Sequence, residues 1–210
     1  MDKQKIAADR AKGIEFSDNG KTLIKYPDTL KDESYTIPEG VTGIGPGAFN
    51  NAEVRRVTFP ATLRSIGAEA FMWAQNLEEA ILPEGLEKIG DAAFWCAGVK
   101  TVSLPRSLRH VGEFAFYGCG SLRKLVTFWD EPHCDTRGWR ENVSDATTGE
   151  GETPASIFYN LRVFGNCPRV TDVTGCKSLV KLVKEYQRRG ANPLPEDTPD
   201  NWRDHRFLDD

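Results

Sequence analysis

The sequence predicts an α/β repeat solenoid built from parallel strands, and three residue types keeping one rhythm predict it. Between Ile37 and Phe128, Pro recurs at 38, 60, 83 and 105, with spacings of 22, 23 and 22. Gly keeps the same register at 45, 67, 90 and 112, and an Ala-Phe pair keeps it at Ala48-Phe49, Ala70-Phe71, Ala93-Phe94 and Ala115-Phe116. One coil of this length cannot bury its own apolar side. Stacked coils bury one another, and equivalent residues then form ladders along the axis.

Each part of the coil has its own reason. After each Phe comes an apolar set: Val54, Val57, Phe59; Leu77, Ala80, Leu82; Val99, Val102, Leu104; Leu122, Leu125, Thr127. The last three positions of this L-x-x-L-x-L spacing alternate in, out, in, as a strand requires. Strands of neighbouring coils are expected to pair in parallel, roughly 4.8 Å apart. After each Pro comes a pair three apart: Val41/Ile44, Leu63/Ile66, Leu86/Ile89 and Leu108/Val111. The Phe ladder is expected to fill the coil centre, with the small Ala marking a tightly packed turn of helix or 3₁₀. The Gly ladder is expected to serve backbone conformations that disfavour a Cβ. Pro ends one strand and turns the chain, because it cannot donate to a sheet ladder.

The stretches IPEGVTGIGPGAF, FPATLRSIGAEAF, LPEGLEKIGDAAF and LPRSLRHVGEFAF closely resemble the BspA-type (bacterial surface antigen) leucine-rich repeats. SDNGKTLIKYPDTLKDESYTIPEGV resembles the segment that leads into the first repeat of such proteins. The resemblance is strong over 14–128 and weak over 153–182. It implies a leucine-rich-repeat-like right-handed coil without catalytic activity, often a microbial surface protein engaged in adhesion or host-protein binding.

Four regions are expected: a cap over 1–36, four repeats over 37–128, a long loop and degenerate fifth repeat over 129–176, and a helix with an acidic tail over 177–210. In the cap, Thr22–Tyr26 reads as a strand after an Asn19-Gly20 turn. Residues 129–153 are polar yet carry Trp129 and Trp139. Pro154–Phe158 resembles a shortened helical side, and Leu161-Arg162-Val163-Phe164 a final strand. In 177–189, Leu179, Leu182, Val183 and Tyr186 fall at i, i+3, i+4 and i+7, the pattern of an amphipathic helix. Such a helix would cap the last coil; the alternative is a partner-binding helix.

Hydrophobic residues make up 39% and charged residues 28% of the 210, the profile of a soluble globular protein. Net charge is −4, and the acidic tail from 191 onward accounts for all of it. A near-neutral body argues against nucleic acid as the main partner. No apolar run reaches the length of a membrane helix. The N-terminus MDKQKIAADRAKG has no apolar h-region, so as it stands it predicts a cytoplasmic protein. The family resemblance implies the cell surface or secretion if a signal has been removed. The five Cys form an odd set, read as free thiols rather than a disulfide scaffold.

The candidate binding surface is the outward face of the long strands: Arg56, Thr58, Glu79, Ile81, Thr101, Ser103, Lys124 and Val126. The column Arg55, Glu78, Lys100 and Arg123 precedes it, and Trp129 and Trp139 flank it. A rigid regular face presents many side chains without ordering cost, which favours a protein partner; a solvated face with no partner is the plain alternative. Neither cofactor nor metal is expected. His110 is read as a surface residue. Cys96 and Cys119 are read as stacked in adjacent coils, either as buried thiols or as a disulfide. His133, Cys134, Cys167 and Cys176 offer zinc-ligand chemistry but lack a C-x₂₋₄-C pair, and the His133-Cys134 pair lacks the third group a thiol catalyst needs. A metal-dependent or thiol enzyme using 129–176, or a structural subunit of a larger assembly, are the alternatives to a binding module.

Overall fold

A computed structural model of the protein describes residues 2–127 and 163–175. These residues form a parallel-strand β-solenoid of about five turns. Helix α1 (Lys3–Ala11) and a hairpin of β1 (Glu15–Phe16) and β2 (Thr22–Lys25) precede the repeats. Each coil then has three walls. The sheet wall comprises β3 (Ser34–Thr36), β5 (Arg56–Thr58), β7 (Glu79–Ile81), β9 (Thr101–Leu104), β11 (Lys124–Thr127) and β12 (Asp172–Thr174), all parallel and in register. A second wall carries short strands β4 (Gly43–Ile44), β6 (Ser65–Ile66), β8 (Lys88–Ile89) and β10 (His110–Val111), joined in parallel to β2. The third is a wall of turns.

The predicted ladders are present and extend beyond the four repeats. The rings of Phe49, Phe71, Phe94 and Phe116 stack with centroids 4.7, 4.9 and 4.8 Å apart and planes within 10°. That separation is the strand repeat, so one spacing satisfies the backbone ladder and the ring stack together. Tyr26 continues the row at 5.0 Å and Phe164 at 5.4 Å. All these rings are buried. Each Pro opens a turn closed by an N–H three residues on, as in Val41 to Pro38 and Leu63 to Pro60.

The turn wall departs from the helical side expected of it. Among the described residues the only helix is α1. Around each Ala-Phe pair the backbone alternates hands: Gly47 and Asn51, Glu69 and Trp73, Ala92 and Cys96, Phe114 and Gly118 all have positive φ. Donors alternate too. Gly47, Phe49 and Asn51 donate to Ala68, Ala70 and Met72 of the next coil, whereas Ala48, Asn50 and Ala52 close local turns onto Gly45, Gly47 and Phe49. A helix would spend every donor within its own coil; here half of them are needed to join coils.

The Gly ladder serves contact rather than unusual dihedrals. A Cβ on Gly67 would lie 2.6 Å from Pro46 N, and one on Gly90 2.7 Å from Gly67 C. The backbone of one coil touches the next at this corner, and only Gly fits. The segment read as a final strand is also different. Val163 and Phe164 take the places of Ala115 and Phe116: Phe116 N–H donates to the Val163 carbonyl at 2.9 Å. They lie on the turn wall, and the strand of that coil is β12. Val in place of Ala hid the register.

Helix α1 was not anticipated, because its surface is polar nearly all round. Its signals are propensity and capping: Ala, Lys, Gln and Arg favour a helix, and the Asp2 carboxylate accepts from Lys5 N–H at 2.9 Å. Gly13, at φ 87°, stops it. The helix rests on the first coil through Ile6 and through Asp9, whose buried carboxylate accepts from the Tyr35 hydroxyl at 2.8 Å.

Successive coils are also clipped in pairs. Gly40, at φ 93°, donates its N–H to the Thr62 hydroxyl at 3.0 Å, and that hydroxyl donates to the Val41 carbonyl at 2.8 Å. The Glu39 carboxylate accepts from Ala61 N–H. The same set recurs as Gly85, Ser107, Leu86, Glu84 and Arg106. Between the pairs, Arg64 closes onto the Ala61 and Leu63 carbonyls instead.

Candidate functional site

The sheet wall holds the residues singled out from sequence. Inward Val57, Ala80, Val102 and Leu125 are buried, which turns their neighbours outward. Register places Arg56, Glu79, Thr101 and Lys124 in one row, continued by Ser34 at one end and Asp172 at the other. Ile81, Ser103 and Val126 form the second row, with Thr174 next to them. Arg56, Thr58, Glu79, Ile81 and Lys124 are exposed, and Thr101 and Val126 are half-buried. Ile81 is 52% exposed. Ser103, expected outward and open, is buried: its short side chain sits in the row between Ile81 and Val126. Trp129 and Trp139 lie outside the described residues, as do His133, Cys134, Cys176 and the predicted helix over 177–189.

Charge on this wall is largely arranged in cross-coil pairs. Arg56 meets Glu33 at 2.7 Å, Lys100 meets Glu78 at 2.9 Å, and Lys124 meets Asp172 at 3.7 Å. The hydrogen bond and charge of Lys100 hold the Glu78 carboxyl below its ordinary range. Such exposed pairs contribute little to stability; they tie long side chains down and leave the wall near neutral.

The remaining candidates resolve into structural parts. Among the described residues no cluster of His, Cys, Asp and Glu is able to hold a metal ion. Cys96 and Cys119 do not share a repeat position. Phe94 and Phe116 are one coil apart, so the partner of Cys119 is Ala97, and in the next coil Cys167. Cys96 instead lies over Gly118, where a Cβ would reach its sulfur at 2.8 Å. Cys96, Cys119 and Cys167 are free thiols. Cys119 Sγ donates to the Phe94 carbonyl at 3.1 Å and Cys167 Sγ to the Phe116 carbonyl at 3.2 Å, the same contact one coil apart. Burial pushes the Cys96 thiol up to about 12 and raises Cys119, to which the neighbouring Cys167 thiol adds. Thiols so shifted are poor nucleophiles. His110 is half-buried rather than open, and burial, then the Lys88 charge, lowers its pKa. An open groove of about 440 Å³ runs along the corner between the turn wall and the sheet wall, lined by Trp73, Cys96, Asn166 and Arg169 among others. Among the described residues no helix is long and apolar enough to cross a membrane.

Comparison with known proteins follows the ladders. A family model for the BspA type leucine rich repeat region matches residues 26–131 in six copies. Among solved structures, the chain is similar to the pneumococcal vaccine antigen PcpA, at 32% identity and a TM-score of 0.53, over 55% of this chain and 29% of that one. It is similar to a leucine rich cell surface protein of Faecalibacterium prausnitzii at 25% identity and a TM-score of 0.44, over 65% of this chain and 41% of that one. For a leucine rich repeat protein of T. pallidum the values are 16% identity and a TM-score of 0.47, over 82% and 92%. The chain thus spans less than half the length of the first two. No curated protein matches it.

Proposed function

Because the chain belongs to the BspA-type leucine-rich repeat family, we propose that it is a non-catalytic module that binds a protein partner on its sheet wall. The observation that carries this reading is the wall itself. Its outward residues are fixed by parallel register to a core with centroid spacings near 4.8 Å, so docking orders little backbone. Ile81 supplies an exposed apolar anchor between polar neighbours, and the paired charges around it form a polar rim, the arrangement typical of interfaces. The site comprises Arg56, Thr58, Glu79, Ile81, Thr101, Lys124 and Val126. Likeness to PcpA, a vaccine antigen, supports a place at the cell surface, and adhesion is the role proposed with it. In the same reading, residues 177–189 are the amphipathic segment that covers the last coil.

The test is a comparative pull-down with mass spectrometry. A protein retained by the native chain is expected to be lost from Ile81→Asp and weakened by Arg56→Ala combined with Lys124→Ala, while thermal unfolding stays within a few degrees. Equal retention by all three proteins removes the sheet wall as the site.

A further inference from the structure

Three positions after each ladder Phe, the turn wall sets a small side chain into the core. That position holds Ala52, Ala74 and Ala97 in the first three coils and Cys119 and Cys167 in the next two, and all five residues are buried. Two sulfurs therefore stand in neighbouring coils at one ladder position that the array otherwise fills with a methyl group. Cys167 Sγ donates to the Phe116 carbonyl at 3.2 Å, so it points back toward the coil that carries Cys119. Cys119 Sγ donates to the Phe94 carbonyl at 3.1 Å, and a turn about its Cα–Cβ bond brings it toward Cys167. The coil step at this junction, read from the rings of Phe116 and Phe164, is 5.4 Å, against 4.7 to 4.9 Å between the four preceding Phe rings. Cα atoms joined by a disulfide most often lie about 5.5–6 Å apart, so the wider step suits a bridge best. Cys96 is out of this register: it stands one position earlier in its coil, over Gly118.

We propose that Cys119 and Cys167 are a disulfide pair whose oxidation staples the fifth coil to the fourth. The oxidant is a disulfide, such as glutathione disulfide. The Cys167 thiolate attacks one sulfur of the oxidant and forms a mixed disulfide, and the first thiol leaves with the proton that Cys167 gave up. The Cys119 thiolate then attacks the Cys167 sulfur, the mixed disulfide breaks, and the second thiol leaves with the Cys119 proton. Each cysteine loses one electron, and the oxidant gains two. In the closed coil both thiols are shielded and burial raises Cys119, so exchange takes place while the fifth coil is open, and closure then protects the bond. Cys167 follows Cys119 by 48 residues, and a cross-link between positions so far apart restricts the unfolded chain strongly. The fifth coil also carries Asp172, which continues the outward row of the sheet wall beside Lys124, so the staple fixes that end of the row. The assignment does not rest on the binding reading and survives its failure.

Refolding tests it on the full chain. The protein is refolded from denaturant in a buffer of reduced and oxidised glutathione and, separately, in excess dithiothreitol. Free thiols are blocked, and linked peptides are mapped by mass spectrometry without reduction. The expected result is a Cys119–Cys167 linkage in most molecules from the glutathione buffer, with a melting temperature at least about 4 °C above that of the dithiothreitol sample. Cys119→Ala and Cys167→Ala place there the residue that the first three coils carry. Both variants are expected to fold and to melt at one temperature in the two buffers. Recovery of Cys119 and Cys167 as blocked thiols, their linkage to other cysteines or between two copies, or a melting shift of the same size in either Ala variant overturns the proposal.

Discussion

The sheet wall and the turn wall solve one problem with opposite backbones. Both must hand hydrogen bonds from coil to coil while turning one side chain in and the next out. The sheet wall does so with extended residues, which tolerate any side chain, and its outward rows accordingly mix Arg, Glu, Thr, Ile and Lys. The turn wall alternates right- and left-handed residues, and non-glycine side chains sit at positive φ at Asn51, Glu69, Trp73, Ala92, Cys96 and Phe114. Each such residue carries a conformational cost of about 1–2 kcal/mol. The turn wall endures that cost because it seats the Phe ladder inside and, in later coils, an aromatic cluster of Trp95, Phe114 and Tyr117 outside. Freedom of sequence marks the sheet wall as the surface on which a partner site is able to vary.

The largest effect should come from the ladder that the turn wall seats. Phe94→Ala empties the middle of the row and is expected to destabilise by about 3–5 kcal/mol, read from urea midpoints. An unchanged midpoint would show that the stacked rings contribute nothing. A smaller but more telling effect is a reversal of sign. Glu69→Gly on the turn wall removes a left-handed penalty and is expected to raise stability by up to about 1 kcal/mol. Glu79→Gly on the sheet wall frees an extended residue and is expected to lower it by about 0.5–1 kcal/mol. Thermal melts of the two variants moving in the same direction would contradict the contrast. The smallest effect concerns the second wall. His110 has a pKa below its ordinary 6.5 through burial and the Lys88 charge. Its contribution is complete above pH 6.5 and is lost as pH falls toward the lowered folded value, because the unfolded chain takes the proton first. His110→Gln is expected to flatten the decline in melting temperature between pH 7 and pH 5. An identical slope in both proteins would remove His110 as its source.

The repeat lattice was readable because its signals are steric. Phe at a fixed interval, Gly where two backbones touch and Pro after a strand each admit few substitutes. The turn wall was misread because Ala-Phe in a short segment looks the same to propensity whether its donors close a helix or reach the next coil. Gly47, Asn51 and Gly118, residues that accept positive φ, were the available clue. Cys96 was paired with Cys119 by counting 23 residues where the Phe interval is 22. The interval of the Phe ladder between these two coils decides which residues meet. At the candidate site the row order of Arg56 to Lys124 followed from alternation alone. Burial of Ser103 did not, since it depends on the size of its neighbours Ile81 and Val126. Helix α1 shows no apolar periodicity, because its buried residues are Ile6 and Asp9 alone.

The Glu-Gly clip that joins Gly40 to Thr62 and Gly85 to Ser107 recurs 45 residues apart, twice the length of a single coil. The hydrogen-bonding unit at this corner of the array is therefore a doublet. Duplicating or deleting one coil would set two donors, or two hydroxyls, against each other across the new junction, whereas changing the array by two coils keeps every clip answered. Relatives that lengthen this way should show arrays growing in even steps.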